Sequence, residues 1–347
     1  MNARDGGMGL RHSTGIAASA FLGSVVDTVD PVASMIGESS IAVSGVAEAS
    51  SLVLNNISQE DSTAWTTKLG DLAGNIDTAS VRTFTSKPQA EIQVVMDKRK
   101  YADLFASVAG NERDRLEAVR RDHAGAWLTA FPCKALGLWL PSDHFIVASR
   151  LWLGCASRCE TRSLLRPGLE MYGRHHALRD CVFDAARSAN QRPWREIGVD
   201  SSGQRPADCF LPNWSHGRPL AIDVTVSHPS QSRISINARE GLSASEHAAV
   251  VKAEEKDRRY LDLCARHGVD FLPLVICAYG GFLGPGETFI GELAKRVGEA
   301  AGLSISVATS QLWQRMSMSL WRSNAKLALC KHSSLTRHWS ASATRFG

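Results

Sequence analysis

Two aspartates that flank a predicted turn are the residues of this chain best suited to chemistry. Asp208 lies in one short apolar run and Asp223 in a second, with a stretch rich in Pro, Asn, Ser and Gly between them. This pattern predicts a β-hairpin, and a turn centred between Ser215 and His216 would set the aspartates opposite each other. Like charges directly opposite on a sheet repel. Since Mg²⁺ and Mn²⁺ prefer oxygen ligands, we expect one of these ions to bind both carboxylates.

Two further side chains of suitable type lie on either side of the hairpin in the sequence. Glu196 is on a predicted strand just before it, and Lys256 is on a predicted helix after it, one turn from Lys252 on the same helix face. Phosphodiester hydrolysis needs metal-bound carboxylates and a lysine that offsets charge on the phosphate. The candidate catalytic residues are therefore Glu196, Asp208, Asp223 and Lys256.

Each of these residues also has an ordinary structural interpretation. An aspartate at a strand end is commonly a turn or cap residue, and Glu196 fits a solvated strand position. Lys256 lies in a run of charged residues from 252 to 259, which is typical of an exposed helix face. From the residue types alone, both interpretations stay open.

The elements that must position these residues are predicted from hydrophobic periodicity. The predicted order is helix, strand, strand, strand, helix, strand, helix, followed by a last amphipathic helix. That order indicates an α/β domain with a mixed sheet and helices on both of its faces. The predicted segments are helix 175–190, strand 194–199, the hairpin, helix 243–267, strand 271–278, helix 287–301 and helix 310–331.

Composition divides the chain into three parts. Residues 1–95 are rich in Ser, Ala, Gly and Thr and poor in aromatic residues, which predicts a disordered leader or loosely held helices. Residues 96–165 have a helical pattern and contain Cys155 and Cys159. Residues 166–347 hold the predicted α/β domain and its C-terminal helices.

Overall composition excludes some classes of protein. The eight cysteines are scattered, which does not fit a disulfide framework and indicates an intracellular protein. No apolar run is long enough to span a bilayer, so no membrane partner is expected. The net charge of +4 is compatible with binding to nucleic acid.

Several segments resemble the C-terminal region that follows the reverse transcriptase in retroelement polyproteins of algae, protists and invertebrates. The sequence Arg205-Pro206-Ala207-Asp208, followed by Asp223-Val224-Thr225-Val226 at this spacing, is the most specific part. That region resembles a restriction-endonuclease-like domain of the PD-(D/E)-x-K type. The other matching segments are 125–130, 174–180, 220–222, 260–264, 268–274 and 314–325.

The resemblance implies a fold, an activity and a location. The fold is a helix, three strands, a helix and a strand around a mixed sheet, here with helical extensions at both ends. The activity is Mg²⁺-dependent nicking of target DNA, which implies a nuclear protein with DNA as its partner. Asp208 corresponds to the first metal ligand, Asp223 to the second acid and Glu196 to an upstream glutamate.

The chain departs from this family at two places. The family lysine follows the second acid by two residues, where this chain has Thr225. Some relatives place the lysine on the next helix, which would make Lys256 the substitute and Lys252 the second choice. Relatives also carry a zinc-knuckle-like Cys/His cluster, of which only Cys155 and Cys159 remain. A structural zinc needs four ligands, so Zn²⁺ is not expected.

Three functions therefore remain open. The leading hypothesis is a metal-dependent DNA endonuclease. The first alternative is a catalytically inactive nucleic-acid-binding remnant of such a domain, which Thr225 and the incomplete cysteine cluster favour. The second alternative is a protein-interaction scaffold that uses the last predicted helix, with Trp313 and Trp321.

Overall fold

The computed structural model describes residues 8, 13–156, 161, 164, 169–199, 204–229, 241–282 and 284–343, the last thirteen by their backbone alone. The chain forms two compact units, Met1–Ala109 and Gly110–Gly347. Each unit has its own elements and its own buried core. Among the described residues, no helix combines the length and the apolar character needed to cross a membrane.

The first unit is a small helical domain with a two-stranded antiparallel sheet. Its core is built from aliphatic residues, with Leu22, Leu69 and Ile92 fully buried, and contains one edge-to-face aromatic pair, Trp65 and Phe84. The elements are α1 (Ala17–Ile36), β1 (Ser40–Ala42), α2 (Val46–Leu54), α3 (Gln59–Gly70), β2 (Asn75–Asp77), α4 (Thr78–Arg82) and α5 (Pro88–Ser107).

This domain differs from the disordered leader expected for residues 1–95. The expectation gave weight to the lack of aromatic residues, but small aliphatic residues at helical spacing are enough for a core. In α1, Leu22, Val26 and Val29 recur at helical intervals and are all buried. The boundary between the two units follows Ala109 rather than residue 95, because α5 continues to Ser107.

The second unit is a mixed α/β domain, mostly helical, with one four-stranded sheet. The strand order is β3-β4-β5-β6, in which β3, β4 and β5 are antiparallel and β6 is parallel to β5. Its elements are α6 (Asn111–Val119), α7 (Ser142–Leu153), α8 (Leu169–Ser188), β3 (Trp194–Ile197), β4 (Ala207–Ser215), β5 (Arg218–Ser227), α9 (Ala244–Arg266), β6 (Asp270–Cys277), α10 (Gly284–Ala301) and α11 (Ile305–Ala343). The order from α8 to β6 is the predicted one.

Different helices pack against the two faces of the sheet. On one face, residues of α8, α10 and α11 form the larger hydrophobic core together with Ile222 and Val224 of β5. On the other face, Ala221 packs with Cys264, a residue of α9. The predicted alternation along β5 is therefore confirmed, and it directs Asp223 towards α9.

The hairpin has the predicted register with a different turn. Cys209 pairs with Ile222, so the next pair outward is Asp208 with Asp223. The turn lies at His216-Gly217, one residue later than predicted, with φ angles of 50° and 79°. Two consecutive residues with positive φ suit a tight hairpin, because this turn matches the twist of the strands. A bulge in β4 before the turn takes up the extra residues.

Local signals fix the helix that carries Lys256. The backbone N–H of Glu246 donates to the Ser243 hydroxyl, and the Glu246 carboxylate accepts from the Ser243 N–H, which is the predicted capping box. Past the other end of α9, Gly268 has a φ of 69° and ends the helix as predicted. Helix α9 is therefore held at both ends, and Lys256 lies in its middle.

Candidate active site

The acidic pair, Asp208 and Asp223, lies on adjacent strands, one residue beyond the paired Cys209 and Ile222. Asp208 contacts His175 of α8, and Asp223 contacts Lys256 of α9. The side chain of Asp208 is 20% exposed and that of Asp223 is 8% exposed. Both carboxylates therefore lie next to a basic side chain, and their facing arrangement stays a prediction.

Asp208 is held by a backbone amide and a histidine. Its Oδ2 accepts a hydrogen bond of 2.7 Å from the Val224 N–H, and its Oδ1 lies 3.3 Å from His175 Nε2. The hydrogen bond to Asp208 raises the pKa of His175, while burial acts in the opposite direction. The charge of Asp223 adds to the increase. The acidic pair therefore favours a protonated imidazole beside it.

Asp223 is paired with Lys256. Lys256 Nζ lies 2.9 Å from Asp223 Oδ2 and is the donor of this hydrogen bond. Burial nevertheless raises the pKa of Asp223, and the charge of Asp208 raises it further, while Lys256 and His175 lower it only in part. The positive charge at this carboxyl is thus too small to offset its burial and its acidic neighbour.

Glu196 is next to the acidic pair in the sheet, but its carboxylate is engaged elsewhere. The flanking pairs between β3 and β4 set Glu196 level with Asp208, and its φ of 50° interrupts the regular strand. The carboxylate accepts a hydrogen bond from Arg179 and lies 3.7 Å from Arg205 Nη1. Its side chain is 45% exposed. Glu196 therefore lies beside the site as the partner of two arginines.

The two candidate lysines have different surroundings. Lys252 lies one turn before Lys256 on α9, and its Nζ is 2.7 Å from Glu255 Oε2. Both side chains of that pair are solvent-accessible, at 34% and 54%. Lys256 is the one that reaches Asp223, as the first choice from the sequence required.

The proposed zinc residues do not form a described site. Cys155 is exposed, with its Sγ 3.8 Å from the carbonyl oxygen of Leu153. Cys159 lies outside the described residues. In the part of the chain that the structure describes, no three His, Cys, Asp or Glu side chains are arranged to hold a metal ion by themselves.

The acidic pair still fits Mg²⁺ or Mn²⁺. Mg²⁺ is usually bound by one or two carboxylates, and waters and substrate phosphates complete its six ligands. Asp208 and Asp223 would supply two such carboxylates, which in this structure accept from the Val224 N–H and from Lys256. Hard oxygen donors favour these ions over zinc, which prefers Cys and His.

His175 is the site residue that the sequence did not identify. The sequence prediction used it only as the first residue of a helix over 175–190. Helix α8 begins at Leu169 instead, and His175 lies one turn before the buried Leu178, on a neighbouring face. That spacing, in the segment Arg174-His175-His176, was the available signal.

Comparisons with known proteins do not place the chain in a family: no protein-family model, no curated protein and no solved structure matches it significantly.

Proposed function

We propose that the second unit is a metal-dependent DNA endonuclease that nicks its target by phosphodiester hydrolysis. The observation that carries this proposal is the convergence of three elements on one point. Asp208 lies on β4 and Asp223 on the adjacent strand β5, and Lys256 of α9 reaches Asp223 at 2.9 Å. Two carboxylates and an amine are the protein groups this chemistry requires.

The order of elements supports a restriction-endonuclease-like fold for this unit. Helix α8, strands β3 to β5, helix α9 and strand β6 follow one another as in the PD-(D/E)-x-K type. Asp208 follows Pro206 near the start of β4, and Asp223 lies on the next strand. These positions match the first and second acids of the resemblance.

Each residue has a role that follows from its contacts. Asp208 and Asp223 would hold Mg²⁺ or Mn²⁺ through their carboxylate oxygens, and the ion would supply polarisation of the phosphoryl oxygen and a water molecule of lowered pKa. Lys256 donates to Asp223 and would offset charge that builds on the phosphate. His175 and the Val224 N–H fix the orientation of Asp208.

The position of the lysine is the main departure from the family pattern. Thr225, two residues after Asp223, takes the usual place of the lysine. Lys256 reaches the same carboxylate from α9, so an amine is available without one on the strand. This arrangement supports catalysis through a relocated lysine.

A nucleic-acid-binding remnant without activity is the second candidate. It is favoured by Thr225 and by the engagement of Glu196 with Arg179 and Arg205, which leaves the upstream acid of the pattern neutralised. Such a protein would bind DNA with a steep salt dependence and would leave it intact.

Plasmid nicking by the purified protein separates the two candidates. We expect conversion of supercoiled to nicked DNA in Mg²⁺ or Mn²⁺, and none with chelator. Asp208→Asn and Asp223→Asn keep the shape of each side chain but weaken metal binding, so each should reduce the rate at least 100-fold. Equal nicking by the wild type and both variants would reject the proposal, and DNA binding without any nicking would establish the remnant.

Asp270→Asn is the matched control for these substitutions. Asp270 is also an aspartate of the same sheet, but its side chain is 44% exposed and it pairs with Arg218 at 2.6 Å. It starts β6 opposite Leu220, three residues along β5 from Asp223. Its substitution should leave nicking unchanged.

A further inference from the structure

A row of mostly aromatic side chains crosses the sheet next to the acidic pair. Trp194 pairs with Phe210, Phe210 with Ala221, and Ala221 with Phe271, so the row includes all four strands. Ala221 is two residues from Asp223 on β5, and side chains two apart share a face at a separation of about 7 Å. The row therefore lies beside Asp223 on the same face, and Phe210 is two residues from Asp208 along β4.

Trp194 differs from the other members of this row in being 53% exposed. It lies on β3, and among the residues that the structure describes no further strand pairs with this edge of the sheet. Its ring stacks on that of Phe210, with centroids 5.8 Å apart and planes inclined by 21°. Phe210 thus supports one face of the indole, and a large part of the ring remains accessible to a ligand.

The position of Trp194 suits contact with a nucleotide next to the acidic pair. Trp194 pairs with Phe210, which makes it the diagonal neighbour of Asp208, and such neighbours lie about 7–8 Å apart. A nucleobase lies at a comparable distance from its own phosphate. A phosphate at Asp208 would therefore bring an adjacent base within reach of the indole.

Exposed arginines near Trp194 complement the charge of a nucleic acid strand. Arg192 is exposed, and the side chains of Arg195 and Arg205 are 46% and 67% exposed. Arg195 lies 3.4 Å from Asp180, while Arg205 lies 3.7 Å from Glu196. Solvent-exposed pairs of this length are weak, so a phosphate can compete for the guanidinium group of Arg205. Arg195 projects to the other face of the sheet, where it stacks on the Phe183 ring at 4.1 Å.

We propose that Trp194, supported by Phe210, stacks on an unpaired nucleobase next to the phosphate at the acidic pair. This inference rests on the proposed function and deepens it by naming the substrate class. A base inside an intact duplex has both faces covered by its neighbours, whereas an unpaired base can leave the stack at little energetic penalty. The site therefore selects DNA in which a base beside the cleaved bond is unpaired.

The test uses three oligonucleotides of the same sequence with 2-aminopurine at one position. In the first the reporter base is paired, in the second it lies in a three-nucleotide bulge, and the third is single-stranded. Binding is measured in Ca²⁺ with the full chain, and cleavage is measured separately in Mg²⁺. Stacking on an aromatic side chain predicts about 5- to 150-fold tighter binding of the bulged probe than of the paired one, with reporter fluorescence quenched on binding.

Two substitutions of Trp194 distinguish stacking on a base from a role in which the side chain only shields Phe210 from solvent. Trp194→Phe keeps an aromatic face and should retain the preference and the quenching. Trp194→Leu keeps an apolar side chain against Phe210 but has no ring. The preference for the bulged probe and the fluorescence quenching should therefore be lost, while binding to the paired probe is unchanged. Trp139→Ala removes a tryptophan that is 37% exposed and outside the sheet, and it should behave as the wild type.

The outcomes distinguish this inference from the proposed function. If the leucine and phenylalanine variants show the same preference, or if the wild type binds all probes equally while nicking plasmid, the stacking role is wrong and the nuclease remains. If the preference depends on the Trp194 ring but no probe is cleaved, the stacking role stands and the nuclease is wrong. Failure to bind any probe overturns both.

Discussion

Replacing Lys256 with methionine tests how far the buried carboxylate of Asp223 depends on a neighbouring cation. Methionine keeps most of the apolar stem of lysine and removes the amine that lies 2.9 Å from Asp223 Oδ2. In the absence of metal, this leaves an ionised carboxylate that is only 8% exposed and next to Asp208. We therefore expect the variant to be less stable than the wild type in metal-free buffer.

The size of the loss follows from the geometry of the pair. Removing one partner of a buried ion pair costs about 3–5 kcal/mol, and a hydrogen bond to a charged group contributes about 1.5–3 kcal/mol. The Lys256 side chain is 23% exposed, so water screens part of the interaction and a loss of about 2 kcal/mol is expected. For a domain of this size that lowers the midpoint of thermal unfolding by about 4–8 °C.

The loss should depend on pH because Asp223 must be ionised to need a partner. Burial raises the pKa of Asp223 above its unfolded value, so its ionisation opposes folding at neutral pH, and this opposition disappears as the pH falls through the folded-state pKa. Without Lys256 that pKa should rise further. The difference between the variant and the wild type is then largest at neutral pH and becomes smaller in acid.

The assay is thermal and urea unfolding of both proteins across pH, with chelator and then with Mg²⁺. Lys252→Met is the control, because the Lys252–Glu255 pair is solvent-exposed and its loss should change the free energy of unfolding by less than about 1 kcal/mol. Mg²⁺ should restore part of the stability of the Lys256 variant, since a ligand of the folded state stabilises it. Equal effects of the two substitutions, with no change on acidification, would refute the reasoning.

Three further predictions concern the rest of the chain. Asn324→Leu should lower the free energy of unfolding, measured in urea, by about 2–4 kcal/mol. The buried Asn324 accepts a hydrogen bond from Arg174 at 3.0 Å and donates one to the Ala278 carbonyl at 2.8 Å. An unchanged free energy of unfolding would mean that these hydrogen bonds do not stabilise the fold. Burial lowers the pKa of His228 to about 4, below its unfolded value, so the unfolded state takes up the proton first as the pH falls. Between about pH 7 and pH 5 the wild type should then lose about 2 kcal/mol more stability than His228→Gln, and parallel curves would contradict this. Leu69→Ala should destabilise the first unit by about 2–5 kcal/mol, since Leu69 is fully buried. Faster hydrogen exchange of the backbone amides in α1 and α5 should report this loss. If these amides are not protected in the wild type, the prediction of a disordered leader would be correct.

The alternation of buried and exposed residues along the strands predicts which face of β5 carries Asp223 and how β4 and β5 are aligned. Ile222 and Val224 require one face of β5 to be buried, so Asp223 must project to the other. The same constraint on β4 fixed the register with Asp208, even though the turn was predicted one residue early. The bulge in β4 adds residues before the turn, so the later turn does not change the register of the strands. The buried faces of the strands determine register more strongly than the turn does.

The remaining parts depended on tertiary contacts that no local pattern reports. Lys256 lies in a charged run that is typical of a solvated helix, and only its approach to Asp223 distinguishes it from Lys252. Glu196 has the expected place in the sheet, but its φ of 50° and its arginine partners follow from long-range packing. His175 was missed because the start of α8 was predicted six residues too late, and helix boundaries are the least certain part of a sequence-based prediction.

The ion-paired carboxylates of this protein respond to burial in different ways. The pKa of Glu117, which lies 3.9 Å from Arg113, is raised by burial in the same direction as that of Asp223. The pKa of Asp61 is lowered, mainly by its hydrogen bond to Lys98, and the pKa of Glu91 is lowered by Lys68 despite partial burial. For Asp61 the lysine more than offsets desolvation, and for Glu91 the hydrogen bonds from Lys68 and Thr85 together do so. Asp223 has its own lysine at 2.9 Å, yet its pKa is raised.

A purely structural role gives no reason to keep such a carboxylate. An acid whose ionisation opposes folding could be replaced by an amide with a gain in stability, and the adjacent Asp208 increases the penalty. A divalent cation bound at Asp223 would offset the free-energy cost of its buried negative charge, because the ion would supply electrostatic stabilisation beyond that of Lys256. Stability given up at a site in this way is typical of sites selected for binding and catalysis. Under the proposed function, a bound cation would offset the burial of Asp223, which raises its pKa as burial also raises that of Glu117.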